Sequence, residues 1–180
     1  MSRAYRDRAV GEEEFRRALS GHAAGVVVVT ASVGGVPVGV TATSFSSVSL
    51  RPPLVAFYLG RTSSTWPWLR EADRFAVNIL AGDQGDTAAR FARTHVDRFS
   101  PPTRWSPDEF GTPLLDGVTA HLTCSPYRTA DIGDHVLVVG LVTGTRIDEQ
   151  GRPLLYHQGR FGRFVPEHEP VHGTARGEPQ

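Results

Sequence analysis

The chain reads as a mainly β protein, a closed antiparallel barrel with short peripheral helices. Three observations point there. Short runs rich in Val, Leu and Phe recur at hairpin spacing, punctuated by Gly-Gly, Pro-Pro and Gln-Gly pairs. Strand patterns do not alternate with long helical ones, which argues against a parallel doubly wound sheet. No GxGxxG fingerprint follows any strand, so a dinucleotide fold is not indicated and any nicotinamide would be held some other way.

The elements follow in order. Glu12 to Ser20 predicts a helix, because Phe15, Ala18 and Leu19 recur at helical spacing. Glu12, Glu13 and Glu14 suit the positive end of its dipole, and Gly21 and Gly25 bracket its end. Val26 to Val33 is largely β-branched and predicts a strand. Gly34-Gly35 predicts a two-residue hairpin, and Val36 to Phe45 returns as the second strand, with Pro37 near its start. Arg51-Pro52-Pro53 is a turn before the apolar strand Leu54 to Leu59. Ser64 is expected to be the N-cap of a helix through Trp66, Leu69 and Arg70, with Pro67 in its first turn. Trp66 and Trp68, on either side of Pro67, are expected to be packing residues.

Phe75 to Leu80 is the next strand, and Asp83 to His95 predicts a helix with Ala88, Phe91 and Ala92 facing inward. Arg98 to Gly117 holds four prolines and is expected to be irregular. Val118 to Tyr127, His135 to Ile147 and Leu154 to Val165 supply the remaining strands, with a Gln150-Gly151 turn between the last two. The polar tail from Pro166 is expected to be mobile. The chain thus divides into an arm over 1–11, a domain over 12–165 and a tail over 166–180.

Composition narrows the chemistry. The chain has 180 residues, suited to one domain, and 39% hydrophobic against 21% charged residues argues for a folded globule. Nineteen basic residues balance 19 acidic ones, so no general field favours nucleic acid or an anionic membrane. Every basic residue is arginine, which excludes Schiff-base lysine chemistry and a Walker A loop. Cys124 is the one cysteine, so an intrachain disulfide, a CxxC pair and a Cys-based zinc site are all excluded. It stands among alternating apolar residues and is expected to be a small buried hydrophobe. The N-terminal arginines precede no apolar run, and Val26 to Val29 is too short to span a bilayer. A soluble, cytoplasmic protein is expected. His and Glu residues at 167–172 fall in the tail and are expected to bind metal only adventitiously, so no metal site is assigned.

Three segments hold unusual chemistry. Thr41-Ala42-Thr43-Ser44-Phe45-Ser46-Ser47 puts hydroxyls on both faces of a strand end. It is either a polar strand edge or a row of small donors facing a flat polar ligand. Arg61-Thr62-Ser63-Ser64-Thr65-Trp66 follows a strand and opens a helix. It is either an ordinary cap or an anion site built from free N–H groups, a helix dipole and hydroxyls. Gly133-Asp134-His135 opens a strand, and His135 is either a simple hydrogen-bonding residue or an orienter of a reactive ring.

Together, the runs GVTATSFSSVSLRPPLVAFYL, RTSSTW, RFAVNIL, GDHVLVVGLV and GRF resemble the flavin reductase-like domain over Phe15 to Phe164. The resemblance implies a homodimeric, FMN-binding split β-barrel that reduces flavin with NADH or NADPH, FAD being possible in place of FMN. It further implies a separate monooxygenase as recipient of the reduced flavin. Carried over, Thr41, Ala42, Thr43 and Ser44 match the segment along the isoalloxazine, and Ser46 and Ser47 follow it around the ring or ribityl chain. Ser63, Ser64 and Thr65 match the phosphate loop, with Arg98 adding charge beside it. Arg160 and Phe161 match the C-terminal strand that closes over the flavin, and His135 matches the histidine near the nicotinamide. Asn78 lies in a matching strand, where pinning the backbone is its expected task. Two other classes stay open at this point: a flavin carrier or sensor without efficient turnover, and a split-barrel oxidase of the pyridoxamine-phosphate type.

Overall fold

A computed structural model describes residues 9–148 and 151–167 of the chain. Twelve strands and three helices occupy them, in the order α1 (Glu12–Ser20), β1 (Ala24–Gly25), β2 (Val27–Val33), β3 (Val36–Ala42), β4 (Ser46–Leu50), β5 (Pro53–Gly60), α2 (Trp66–Leu69), β6 (Phe75–Ile79), α3 (Gly85–Ala92), β7 (Trp105–Pro107), β8 (Pro113–Leu115), β9 (Ala120–Ile132), β10 (His135–Ile147), β11 (Leu154–His157) and β12 (Arg160–Arg163). None of these helices is long and apolar enough to cross a membrane.

The main sheet has seven antiparallel strands in the order β3-β2-β6-β9-β10-β5-β4. Laid flat, β3 and β4 would stand roughly 29 Å apart, at about 4.8 Å per strand spacing. Yet three residues, Thr43 to Phe45, join them, and the four Cα steps from Ala42 to Ser46 reach at most about 14 Å. The sheet therefore curls until its edges meet. The Ser44 side chain seals part of the seam: its Oγ accepts the Tyr58 N–H (2.9 Å) and donates to the Tyr58 carbonyl (3.2 Å). This is the barrel that the strand pattern predicts. Two small sheets, β1-β11-β12 and β7-β8, flank it.

Strand β2 explains the placement of the core. Val27, Val29 and Ala31 face the barrel interior with Phe57, Phe75, Val77, Cys124, Val136 and Val138. Val26 and Val28, on the other side, pack with Leu80, Ala88, Phe91, Leu115 and Leu154 beneath α3. A strand buried on both faces reads as a continuous apolar run, which is why Val26 to Val29 carries no polar residue. Gly140 is required inside the barrel, since a Cβ there would collide with the Phe75 ring and come within 3.2 Å of Cys124 Cβ. Asn78 is fully buried and does pin the backbone. Its Nδ2 donates to Val28 O (2.9 Å) and Thr30 Oγ1 (3.0 Å), and its Oδ1 accepts the Leu115 N–H (2.9 Å).

The Gly34-Gly35 hairpin stands as predicted, with φ of 58° and 80°, the left-handed pair that a type I′ turn needs. Other boundaries differ from expectation. The helix predicted over Asp83 to His95 is shorter, Gly85–Ala92, and Ala92 is exposed rather than inward-facing. Arg98 to Gly117 is not wholly irregular: its prolines bracket the short β7-β8 pair. Leu154 to Val165 is not one strand, because Gln158 and Gly159 take φ of 48° and 78° and turn it into the β11-β12 hairpin. Gln150 and the tail beyond Glu167 lie outside the described residues, as does the His/Glu cluster proper.

Candidate flavin-binding rim

Most of the predicted site residues border one end of the barrel and the adjoining seam. Sheet register sets their order. His135, at the start of β10, pairs with Gly60, at the end of β5, and two positions along Leu137 pairs with Tyr58. Tyr58 is the residue that Ser44 clasps, and Ser46 pairs with Ala56 two positions further on. Beyond Gly60 the chain turns through Ser63, whose N–H donates to Gly60 O (2.9 Å), into Thr65 and α2.

Thr65 links this loop to β3. Its buried Oγ1 lies 3.5 Å from Gly39 O and accepts a hydrogen bond from Arg98 Nη1 at 2.8 Å. Arg98 Nη1 also donates to Gly39 O at 2.6 Å, while Nε and Nη2 donate to Arg93 O. The guanidinium is thus held by carbonyls and one hydroxyl, and among the described residues no carboxylate lies within ion-pair distance of it. Burial pushes its pKa down, the signature of a cation short of solvent and lacking a counter-charge. Arg98 lines a cavity of about 310 Å³ together with Ser64, Thr65, Trp68, Val96 and Phe99.

The hydroxyls of the rim fall into two sets. Thr41 donates to Ala88 O on α3 (2.7 Å), Ser44 clasps Tyr58, Thr65 serves Gly39 and Arg98, and Ser63 Oγ accepts the Thr65 N–H (3.3 Å). Thr43, Ser46, Ser47 and Ser64 are exposed, and their side chains have no hydrogen-bond partner among the described residues. Ala42 is buried and lets the chain pass close beneath the rim.

The anion argument changes its footing. Ser64 is not the N-cap: that position is Thr65, which makes no side-chain capping bond. The helix it opens is a four-residue turn, too short for aligned peptide dipoles to sum to a strong field. Ser63 competes for the cap by bonding the Thr65 N–H, and Thr65 Oγ1 is turned to Arg98. The positive charge at this corner comes from Arg98.

The profile of the flavin reductase like domain matches residues 19–164. The chain belongs to that family. It is 42% identical over 157 residues (85% of this chain, 82% of the relative) to an NADH:FMN oxidoreductase of Rhodococcus erythropolis. It is 36% identical over 159 residues (88% and 81%) to HsaB, the reductase subunit of a flavin-dependent monooxygenase of Rhodococcus jostii. Its fold superposes with a TM-score of 0.83 on a Streptomyces globisporus NADH:FAD oxidoreductase in complex with NAD and FAD fragments, at 35% identity over 90% of this chain and 99% of that one.

Within this flavin reductase-like fold, two predicted residues stand apart. Arg160 and Phe161 belong to β12 in the small sheet. The Phe161 ring packs against Tyr156 (centroids 5.3 Å apart) and covers Gly85 at the start of α3. They approach the rim only through α3, whose Ala88 takes the Thr41 hydrogen bond. His135 is exposed, its Nδ1 2.7 Å from Asp134 Oδ1. That bond, first among several causes, holds the Asp134 carboxyl below its ordinary range.

Sequence reasoning missed Arg90, which donates to Asp97 O, Ser100 Oγ and Pro101 O and so shapes the loop that carries Arg98. An arginine one turn before the end of a predicted helix, followed by an Asp-Arg-Phe run, is the signal that offered it. A larger cavity, about 600 Å³ between His121, Arg146 and Leu115, lies toward the opposite end of β10 and holds none of the predicted residues.

Proposed function

We propose that this protein is an NAD(P)H-dependent flavin reductase that takes FMN, with FAD as an alternative, and supplies reduced flavin to a separate monooxygenase. The observation that carries the reading is Arg98, a part-buried cation that has no carboxylate within ion-pair distance among the described residues, facing a cavity walled by the open hydroxyl of Ser64. That donor set fits a phosphate ester. The open hydroxyls of Thr43, Ser46 and Ser47 suit the polar edge and ribityl chain of a flat ring system lying across the seam. Similarity to NADH:FMN oxidoreductases favours NADH as the donor.

In this reading flavin, when bound, would supply the redox chemistry, taking up the hydride of the reduced nicotinamide and a proton from solvent. The protein's work is orientation and charge placement. Arg98 and Ser64 anchor the phosphate. Main-chain N–H groups around Thr43 and Ser44, fixed by the Ser44–Tyr58 clasp, face the ring edge where negative charge grows. Asp134 orients the His135 ring through Nδ1 and leaves Nε2 turned outward for the nicotinamide carboxamide. Arg160 and Phe161 lie behind α3 and brace its start at Gly85 in this reading.

The outer face of β5 and β10 supports a homodimer. Leu141 pairs with Leu54 and Leu137 with Tyr58 on that face, Val139 lies between them, Tyr58 is 42% exposed, and none of these residues joins either buried cluster. A second copy covers them in this reading, and Val139→Arg is expected to give a monomer by light scattering.

Anaerobic mixing with FMN and NADH tests the activity. Bleaching of the flavin band at a rate that depends on protein concentration is the expected result. FMN that binds without bleaching would leave a carrier, and pyridoxamine phosphate oxidised with peroxide release would move the protein to the oxidase class.

A further inference from the structure

Trp66 and Trp68 stand two positions apart on α2 and part company. Trp66 packs against the inner core. Trp68 is 49% exposed and lines the Arg98 cavity with Ser64, Thr65 and Val96. One bare indole on a surface is ordinary. Here it borders a cavity of about 310 Å³, and a liquid water takes about 30 Å³, so one phosphate group leaves most of that space unfilled. Phe99 and Val96 add apolar wall, and Arg98 supplies an uncompensated charge. The acidic group on this wall, Asp97, accepts the N–H groups of Phe99 and Ser100 through Oδ1. A large π-face beside a phosphate-binding cation is the chemistry that takes a nucleoside base by stacking.

We infer that Trp68 is the platform for the adenine ring of a dinucleotide, stacked beside the phosphate corner of Arg98 and Ser64. The inference rests on the flavin reading above and deepens it. Two substrates carry that moiety, FAD and NADH, and FMN carries none. The assignment therefore makes Trp68 a specificity residue that discriminates dinucleotides from FMN.

Calorimetric titration with FMN and with FAD, and the KM for NADH at saturating FMN, test it in wild type, Trp68→Ala and Trp68→Phe. The expected result for Trp68→Ala is unchanged FMN affinity with about tenfold weaker FAD binding or about tenfold higher KM for NADH. Which of the two moves identifies the substrate that brings the ring. Trp68→Phe, which keeps a stacking face, is expected to recover most of the loss. FAD and NADH both unmoved, or FMN weakened as much as either, would overturn the inference while leaving the reductase reading intact. Wild-type protein that binds neither flavin would remove the reductase reading itself and the inference with it. Should Trp68→Ala fail to fold, Trp68→Leu makes the same comparison with an apolar side chain that does not stack.

Discussion

Two sets of polar groups line this molecule, alike in type and opposite in situation. Thr41, Ser44, Thr65 and His121 are engaged by the fold itself, and Cys124 is sealed in the core. Thr43, Ser46, Ser47, Ser64 and His135 face outward. Engaged groups fix the backbone and have little capacity for a ligand; open groups have the capacity and contribute little to stability. Residue type does not separate them. Which neighbour each side chain meets when the sheet curls does.

Arg98 belongs to both sets, so its loss has the largest expected effect. Arg98→Ala removes the donor that Gly39 O, Arg93 O and Thr65 Oγ1 share and takes the charge from the cavity. FMN affinity is expected to fall about a hundredfold, or about 2.7 kcal/mol, with a lower melting temperature. Arg98→Lys is expected to restore part of the affinity and little of the stability, because an ammonium cannot reproduce the fork that serves three oxygens. Flavin titration and thermal unfolding on the same samples check both halves. Equal loss in the two variants would mean the guanidinium only braces the loop.

His135 is next, on the open side. His135→Ala is expected to lower kcat/KM for the reduced nicotinamide about tenfold while leaving FMN affinity and melting temperature unchanged. Its counterpart on the engaged side, Ser44→Ala, is expected to reverse that pattern. Losing a clasp at the barrel seam costs about 1 kcal/mol, read as a shift in the denaturation midpoint.

The second histidine sharpens the contrast through pH. His121 is half-buried, with its Nε2 2.9 Å from Leu115 O. Burial, first among the causes, pushes its pKa below the ordinary 6.5. A folded-state pKa below the unfolded value gives stability that is present above the unfolded value and is lost as pH falls through the folded one. Melting temperature is therefore expected to drop from pH 7.5 to pH 5, and to drop less in His121→Gln, which keeps a donor for Leu115 and cannot take up the proton. An identical pH dependence in both proteins would assign the acid loss elsewhere.

Much of this architecture was legible from residue pattern. The β-branched runs and the Gly34-Gly35 hairpin stand where periodicity and turn chemistry put them, whereas the strand predicted over Val36 to Phe45 stops at Ala42 and the hydroxyl run opens a separate strand, β4, at Ser46. What escaped has physical reasons. The second hairpin at Gln158-Gly159 was missed because a non-glycine residue takes a left-handed φ there. The β7-β8 pair was missed because prolines at Pro107 and Pro113 read as breakers, although Pro107 closes β7 and Pro113 opens β8. At the candidate site, local sequence offered a helix dipole, while the fold brings up a cation 33 residues away from Thr65. No periodicity encodes a meeting set by the curl of a sheet.

The smallest expected effect is also the sharpest test of the two sets. Ser46 and Ser44 are two residues apart and chemically identical. Ser46 is exposed, on an edge strand, with no partner for its hydroxyl among the described residues. Ser46→Ala therefore removes no bond from the fold, and its denaturation midpoint is expected to match wild type within about 0.5 kcal/mol. Its contribution should surface only with ligand present, as an FMN affinity lowered about threefold, the size of one solvent-accessible neutral hydrogen bond. A midpoint that fell as far as that of Ser44→Ala would place Ser46 among the structural groups and move the flavin's edge away from β4. An unchanged affinity with an unchanged midpoint would confine the ring to the Thr43 side of the seam.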